Sequence, residues 1–533
     1  MSATAAPNSA TGPVGPTVSK SHPKGLYLLF VVEMWERFSY YGMKAILILY
    51  LVQNVLTTPD ANGLVNPGRG WSKADAALLL GLYAGLAYLM PMVGGIIADK
   101  FIGTHRSMLV GGITIALGHI VLAVSGMGGM ASSDLGMSVF VFGLALIIMG
   151  TGHFKPCVSV MVGQLYPQHD SRRDGAFTIF YMGINLGAFL APLACGYLGQ
   201  RVGWHYGFGA AAVGMIVGLI IYQLGRPTLL KGIGLPPENG KNIMLPLFLI
   251  AIAISAAAAA IFHFGGFGAM QKLQEAIIGD PVGKIAVPVV LTLVTGGLIG
   301  WFVSIQEKQD RGPVFAILAA IVFNAFFWLA FEQAGGTLNL FADEKTNLKL
   351  LGMNIPSSFF QSVNPFFIFT CAPLFAILWV WLGKRNLNPS QFGKIGWGLL
   401  LLGLGYIIIT MGGVAAKDGA KVSALFLLGT YFLHTMGELC LSPTGLSFCT
   451  KVAPVKFVSF IMGIWFLSSF VANLGAGIVG SQVEKIEKGE VSLPWHFGGQ
   501  ADFFMLFVVS SVAAAIVAFA VTPFMKKLLH GRE

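Results

Sequence analysis

Long apolar runs alternate with short polar links along almost the whole chain. A membrane span needs about 20 mostly apolar residues, because each helical residue rises about 1.5 Å and the hydrocarbon core is about 30 Å thick. About 14 segments meet that requirement: 25–56, 72–99, 105–128, 134–163, 174–200, 205–225, 241–264, 284–304, 312–341, 357–384, 391–414, 420–449, 455–483 and 501–528. An even number of crossings puts both termini on one face. With the N-terminus inside, the inner loops and tails hold about 19 Lys/Arg and the outer loops about 11, so both termini are predicted to be cytoplasmic.

The links divide the chain. Six segments with short links fill 25–225. The Pro/Gly-rich stretch RPTLLKGIGLPPENGK opens a linker region, 226–311, which contains two further spans. Neither shows a polar stripe, and both read as peripheral braces. The charged link QEKQDRGP leads into the last six segments, 312–528, and 529–533 is a cytoplasmic tail. Residues 1–24 are Ala, Pro, Ser, Thr and Gly with two lysines, lack the apolar stretch of a signal peptide, and read as a disordered cytoplasmic tail. Two six-helix bundles plus two extra helices between them predict an all-α membrane protein of the major facilitator fold, placed in the cell (inner) membrane as a multi-pass monomer.

Composition agrees with the pattern. Of 533 residues, 55% are hydrophobic and 11% charged, and mean hydropathy is +0.75. Soluble domains carry about a quarter charged residues. Net charge is +10, but there is no basic tract with interleaved aromatics, so nucleic acid is not an expected partner; the basic residues fall in short loops, as topology determinants do. Cys157, Cys195, Cys371, Cys440 and Cys449 lie in apolar segments without a CxxC, which argues for packing roles and against a metal site.

The stretch VVEMWERFSYYGMK breaks the apolar rule, with Glu33, Glu36, Arg37 and Lys44 inside the first span. At about 100° per residue, these four with Tyr40 and Tyr41 fall within an arc of about 140°. Met34, Trp35, Phe38 and Gly42 take the other side. The stripe is predicted to face a wet cavity or other helices, leaving apolar atoms to lipid. Glu33 and Arg37, four apart, are placed to pair; Glu36 is left to seek a partner on another helix.

Each charge near the bilayer centre costs about 2.5–3.5 kcal/mol on insertion scales. The chain nevertheless adds Lys155 in GHFKPCVS, Glu332 in FFWLAFEQ and Glu438 in HTMGELCLSPTG. Glu33, Glu36, Glu332 and Glu438 oppose Arg37, Lys44 and Lys155, leaving one acid over for a proton or a ligand's positive group. Lys44 and Lys155 lie in the first half and Glu438 in the second, so a cavity between the halves is basic on one wall and acidic on the other. An extended dipeptide or tripeptide spans about 7–11 Å and carries a carboxylate and an ammonium at its ends.

Several motifs carry a resemblance. Glu33-Met-Trp-Glu36-Arg37-Phe38-Ser39-Tyr40-Tyr41-Gly42 resembles the ExxERFxYYG signature of the proton-dependent oligopeptide transporters. FYMGINLGAFLAP, FKPCVS, FFWLAFEQ, QSVNPFFI and GELCLSPTGLS resemble further motifs of that family, and GGIIADKFIGTHR resembles the facilitator loop signature.

The resemblance implies proton-coupled uptake of di- and tripeptides, with protons as coupling ion and no other cofactor. Glu33, Glu36, Arg37, Lys155 and Glu332 would couple protonation to transport, Glu332 through a salt-bridge switch with Lys44. Lys155 would pair with Glu36 or contact peptide. Lys44 and Lys155 would face the peptide carboxylate, while Asn364 and Glu438 would hold its amino end. Tyr40, Tyr41, Tyr88, Asn185, Trp328 and Trp465 would line the pocket. Tyr181, four residues before Asn185, shares its face. Ser442, four after Glu438, is placed to bond it or its own helix backbone, and His434, four before, to pack or relay protons. Many members have Arg where Lys44 stands, which trades a bidentate fork for a point charge. Mammalian members have a histidine where this chain has Gly81, so coupling here is predicted not to use one. The alternative is a same-fold carrier of nitrate or another small solute. With no GxSxG and no HExxH, enzyme activity is not expected.

Overall fold

A computed structural model describes residues 21–55, 65–167, 170–279, 281–350, 352–417 and 419–532. Most of the expected N-terminal tail lies outside the described residues. The helices of the first half are α1 (Lys24–Val52), α2 (Lys73–Ile97), α3 (Gly103–Val124), α4 (Asp134–Gln164), α5 (Arg173–Ala191), α6 (Tyr197–Arg201) and α7 (Trp204–Leu229). Then come α8 (Met244–His263), α9 (Gly266–Gly279) and α10 (Pro281–Ser304). The second half holds α11 (Lys308–Phe331), α12 (Thr337–Lys345), α13 (Val363–Lys384), α14 (Gln391–Ala415), α15 (Leu425–Val452), α16 (Val458–Gly480), α17 (Val483–Glu487) and α18 (Gln500–Leu528). Helices suit a bilayer because each one satisfies its own backbone hydrogen bonds where the hydrocarbon offers none.

Among the described residues, 10 helical stretches are long and apolar enough to cross a membrane, and one of them, Lys73–Val124, contains both α2 and α3. The protein is therefore a multi-pass membrane protein. Helix α1 is equally long but interrupted by its charges. The apolar parts of α10 and α15, Val289–Ser304 and Leu425–Leu441, are shorter.

Lipid tails are as apolar as leucine, so helices in a membrane associate through close backbone approach. Glycines supply it. A Cβ at Gly111 would lie 2.6 Å from the Gly150 carbonyl oxygen, and one at Gly118 2.7 Å from that of Gly143, which fixes the α3–α4 seam. In the second half, Gly398 meets Gly437 in the same way, 2.9 Å from its carbonyl, and joins α14 to α15. Large apolar side chains fill the rest: one buried cluster runs from Phe302 to Leu529, and others occupy the first half around Tyr50, Phe140 and Phe208 or around Phe154 and Tyr222.

Helix α1 departs from its expected placement. Phe38 and Gly42 are buried and Met34 and Trp35 half-buried, because this side packs against α5, α7 and the turn at Cys195 instead of being left wholly to lipid. Gly187 brings α5 against the Met34 carbonyl, Gly214 and Gly218 of α7 receive Phe38 and Trp35, and Gly42 sits against Cys195. A helical wheel reports polarity, not depth, and neighbouring glycines gave this face to protein.

The two halves meet where α2 packs on α16 and α5 on α13. A Cβ at Gly81 would lie 2.6 Å from the Cα of Gly477. Neither backbone can yield there, so Gly81→Leu is predicted to hold this seam open. Overpacking of this kind costs about 1–3 kcal/mol; uptake should fall about tenfold or more, with increased labelling of a nearby introduced cysteine by an impermeant thiol reagent.

The extra helices straddle the halves. Helix α8 packs on α3 and α4, and α10 packs on α11. Helix α9, which the apolar pattern did not predict, joins them on the face opposite the termini. Its Gln271 bonds Asp75 of α2, its Gln274 donates to Ser481 Oγ (3.1 Å), and its Glu275 pairs with Lys485 of α17 (3.4 Å).

Candidate substrate cavity

Glu33, Glu36 and Arg37 are buried on successive turns of α1. Arg37 Nε lies 3.1 Å from Glu33 Oε1 and also ion-pairs with Glu36 Oε2. Glu36 thus finds its partner on its own helix, not on another. The arginine side chain is long enough to curl back to its immediate neighbour, which an i,i+1 relation on an ideal helix would not suggest. Beside this triad, Tyr40 stacks on Tyr83, with ring centroids 6.2 Å apart.

Farther along α1, Lys44 Nζ lies 2.5 Å from Glu332 Oε2, in the tight turn that ends α11. This pair joins the halves across 288 residues of chain. Other cross-links lie on the same side of the molecule, opposite the termini. Lys73 bridges Glu344 (2.7 Å) and Glu487 (3.1 Å), Asn339 donates to the Ala45 carbonyl (2.9 Å), Ser358 Oγ donates to Gln200 Oε1 (2.7 Å), and Ser362 Oγ donates to the Phe189 carbonyl (2.7 Å). That face is closed.

Beneath the Lys44–Glu332 pair lies a cavity of ≈ 220 Å³ between the halves. Of the residues singled out from sequence, Tyr41, Lys44, Tyr88, Tyr181, Asn185, Trp328, Glu332, Asn364 and Glu438 line it. Asn364 Nδ2 donates to Glu438 Oε2 at 2.8 Å and to Thr435 Oγ1 at 3.0 Å, so the amide holds the carboxylate toward the opening. Asn185 Nδ2 donates to the Tyr181 carbonyl of its own helix (2.9 Å). Lys155 stands behind the wall. Its Nζ lies 3.8 Å from the centroid of Tyr88, a cation–π contact, and no ion pair holds it among the described residues. Pro156 follows it in α4 and removes one backbone hydrogen bond from the helix interior.

Two of the named pocket residues sit elsewhere. Tyr40 is buried beside Tyr83, away from the cavity lining. Trp465 packs on the second-half core and closes over Gly445. The side chain of Ser442 lies outside the described residues. His434 is buried with its ring 4.7 Å from that of Tyr406 and 6.2 Å from that of Phe331, centroid to centroid.

Two lining residues with polar side chains were missed, Gln361 and Tyr431. Gln361 Nε2 donates to the Ala334 carbonyl (2.7 Å) and to Tyr431 Oη (3.1 Å). Both were legible by spacing: Gln361 opens QSVN three residues before Asn364, and Tyr431 stands seven, two helical turns, before Glu438.

Two helical bundles closing on a charged central cavity, with helices α8 to α10 between them, define a membrane carrier of the major facilitator fold. Residues 105–495 match the profile of the POT family, PTR2, and the chain belongs to that family. It is 40% identical over 473 residues to the uncharacterized transporter YclF of Bacillus subtilis, covering 87% of this chain and 89% of that one. It is 38% identical over 451 residues to a di-/tripeptide transporter of Lactococcus lactis, covering 84% and 86%. The crystal structure of peptide transporter POT in complex with sulfate superposes with a TM-score of 0.74 at 35% identity, over 95% of this chain and 96% of that one.

Proposed function

We propose that this chain is a proton-coupled symporter that takes up di- and tripeptides by alternating access, with both termini in the cytoplasm. One observation carries the reading. After Arg37 is paired with two carboxylates and Lys44 with Glu332, one group of each sign remains outside any ion pair among the described residues: Lys155 behind Tyr88 in the first half, and Glu438 in the second. Such a pair is expensive at this depth unless a ligand of opposite polarity compensates it. A zwitterionic peptide does so, its carboxylate toward the Lys44 and Lys155 side and its ammonium toward Glu438 and Asn364. The relatives named for peptide transport support the same reading.

The Lys44–Glu332 pair is the switch of this mechanism. A proton delivered to Glu332 removes one charge, frees Lys44 and loosens the closed face. Peptide then bridges the two walls and draws the halves together, and loss of the proton to the cytoplasm restores the pair. Glu332→Gln imitates the protonated state. Breaking a buried pair by removing one partner costs about 3–5 kcal/mol. In a background without native cysteines, Leu80→Cys beside the pair should therefore label faster with an impermeant thiol reagent when Glu332→Gln is added. Unchanged labelling would remove the switch from the mechanism. Substrate class is tested by competition: unlabelled dialanine should block uptake of a labelled dipeptide, whereas nitrate and N-acetyl dialanine should not.

A further inference from the structure

Two more cavities lie next to each other away from the substrate site, under the arm formed by α8 and α9, divided by Phe262. The first, of ≈ 370 Å³, runs between α2, α4 and that arm, with Leu82, Met90, Ala145, Met149, Ala258 and Met270 on its walls and no charged residue in its lining. The second, of ≈ 440 Å³, opens beyond it on the face opposite the termini, lined by Arg69, Ser132, Ser133, Asp134, Ser138 and His263 among others. Phe262 belongs to both. Trp71 stacks on Phe262 (centroids 6.1 Å apart, planes at 15°) and on Phe267 (5.4 Å, 28°), an aromatic cluster at the junction, where a membrane meets water.

We propose that these adjoining cavities hold one anionic phospholipid, its acyl chain in the apolar cleft, its phosphate beside Arg69 and His263, and its glycerol passing Phe262. The polar end is partly built for an acceptor. Arg69 Nε donates to Tyr50 Oη (2.6 Å) and Nη1 to the Ser133 carbonyl (3.1 Å), which fix the guanidinium. Its Nη2 is buried without a hydrogen-bond partner, and no carboxylate is ion-paired with it among the described residues. A guanidinium donor left unmade is costly, and a small turn of the half-buried Arg69 side chain, which lines the cavity, lets a phosphate oxygen satisfy it. His263 is oriented by a 3.0 Å contact between its Nδ1 and Ser138 Oγ.

Asp134 shares this cavity and repels a free dianion. A phosphodiester carries one charge and brings an acyl chain, each buried methylene of which adds to binding. The apolar cleft beside the polar one therefore selects lipid over inorganic phosphate. Polar end and apolar run follow α8 in the order that a phospholipid presents them, from His263 at the helix end to Ala258 and Ile254 within it.

The test uses the full chain reconstituted with a phosphatidylglycerol that carries a diazirine near the end of one acyl chain. Photolysis and peptide mapping should place label on α2, α4 and α8. Ala258→Phe and Ala145→Phe, which fill the cleft, should each reduce that label at least fivefold; Ile220→Phe, on the exposed face of α7, should not. Arg69→Gln, or His263→Ala should the former fail to fold, should lower retention of phosphatidylglycerol relative to diacylglycerol. Equal label in the cleft-filled variants overturns the proposal. Equal retention of diacylglycerol by the unmutated protein overturns the headgroup assignment. Thermal stabilisation by inorganic phosphate without cross-linking by the lipid makes the polar cavity a free-anion site and overturns the proposal as well.

Discussion

Glu438→Gln is expected to cut the apparent affinity for a dipeptide with a free amino terminus by about 30-fold or more. Truncating one side of a buried charge pair costs about 2–5 kcal/mol, and 1.4 kcal/mol is a factor of ten. Glutamine keeps the shape of the side chain and a hydrogen bond with Asn364 Nδ2, now 2.8 Å from the carboxylate, so the second half should still fold. What disappears is the negative charge on its wall of the cavity. The variant should also lose discrimination between dialanine and N-acetyl dialanine, because the difference between them is the ammonium that Glu438 is proposed to bind. Competition curves for both peptides in reconstituted vesicles measure this. Wild-type affinity for dialanine in the variant would mean that the peptide lies the other way round or that its amino end is held elsewhere.

Glu36→Gln should separate coupling from binding. Arg37 is paired with both Glu33 and Glu36, so removing one carboxylate leaves the guanidinium compensated and the helix packed. An inward proton gradient of one pH unit, acid outside, supplies about 1.4 kcal/mol, or tenfold accumulation for each proton carried. Inside-negative potential adds about 2.3 kcal/mol per 100 mV for each positive charge moved inward. The variant should equilibrate dipeptide to a ratio of one whatever gradient is imposed, while exchange of labelled for unlabelled peptide continues. Accumulation at the wild-type level would take Glu36 out of the coupling path.

Much of this was readable in the chain. Apolar runs mark the spans because a bilayer tolerates little else than helices of about 20 residues. The charges of α1 were visible as one stripe, and bookkeeping over distant segments left Glu438 and Lys155 opposed. Pairing Lys44 with Glu332, far apart in sequence, required the family resemblance; periodicity has no reach over such a distance. Helix α9 was missed because it is short and amphipathic, and no long apolar window announces it. The packed side of α1 was misread because its partners are glycines on α5 and α7, and a glycine records close approach only once its neighbour is known. Tyr40 and Trp465 show the complementary limit. A tyrosine or tryptophan on a functional helix can face either cavity or core, and only the coordinates place Tyr40 against Tyr83 and Trp465 over Gly445.

The central claim is that a cavity basic on one wall and acidic on the other carries a peptide together with a proton. The most direct measurement is uptake of labelled dialanine into liposomes containing only this protein, with the lumen alkaline. The account predicts accumulation of intact dipeptide above the external concentration, accompanied by acidification of the lumen and abolished when the gradient is collapsed. Uptake that stops at equal concentrations, or proton entry that is independent of added peptide, would contradict it.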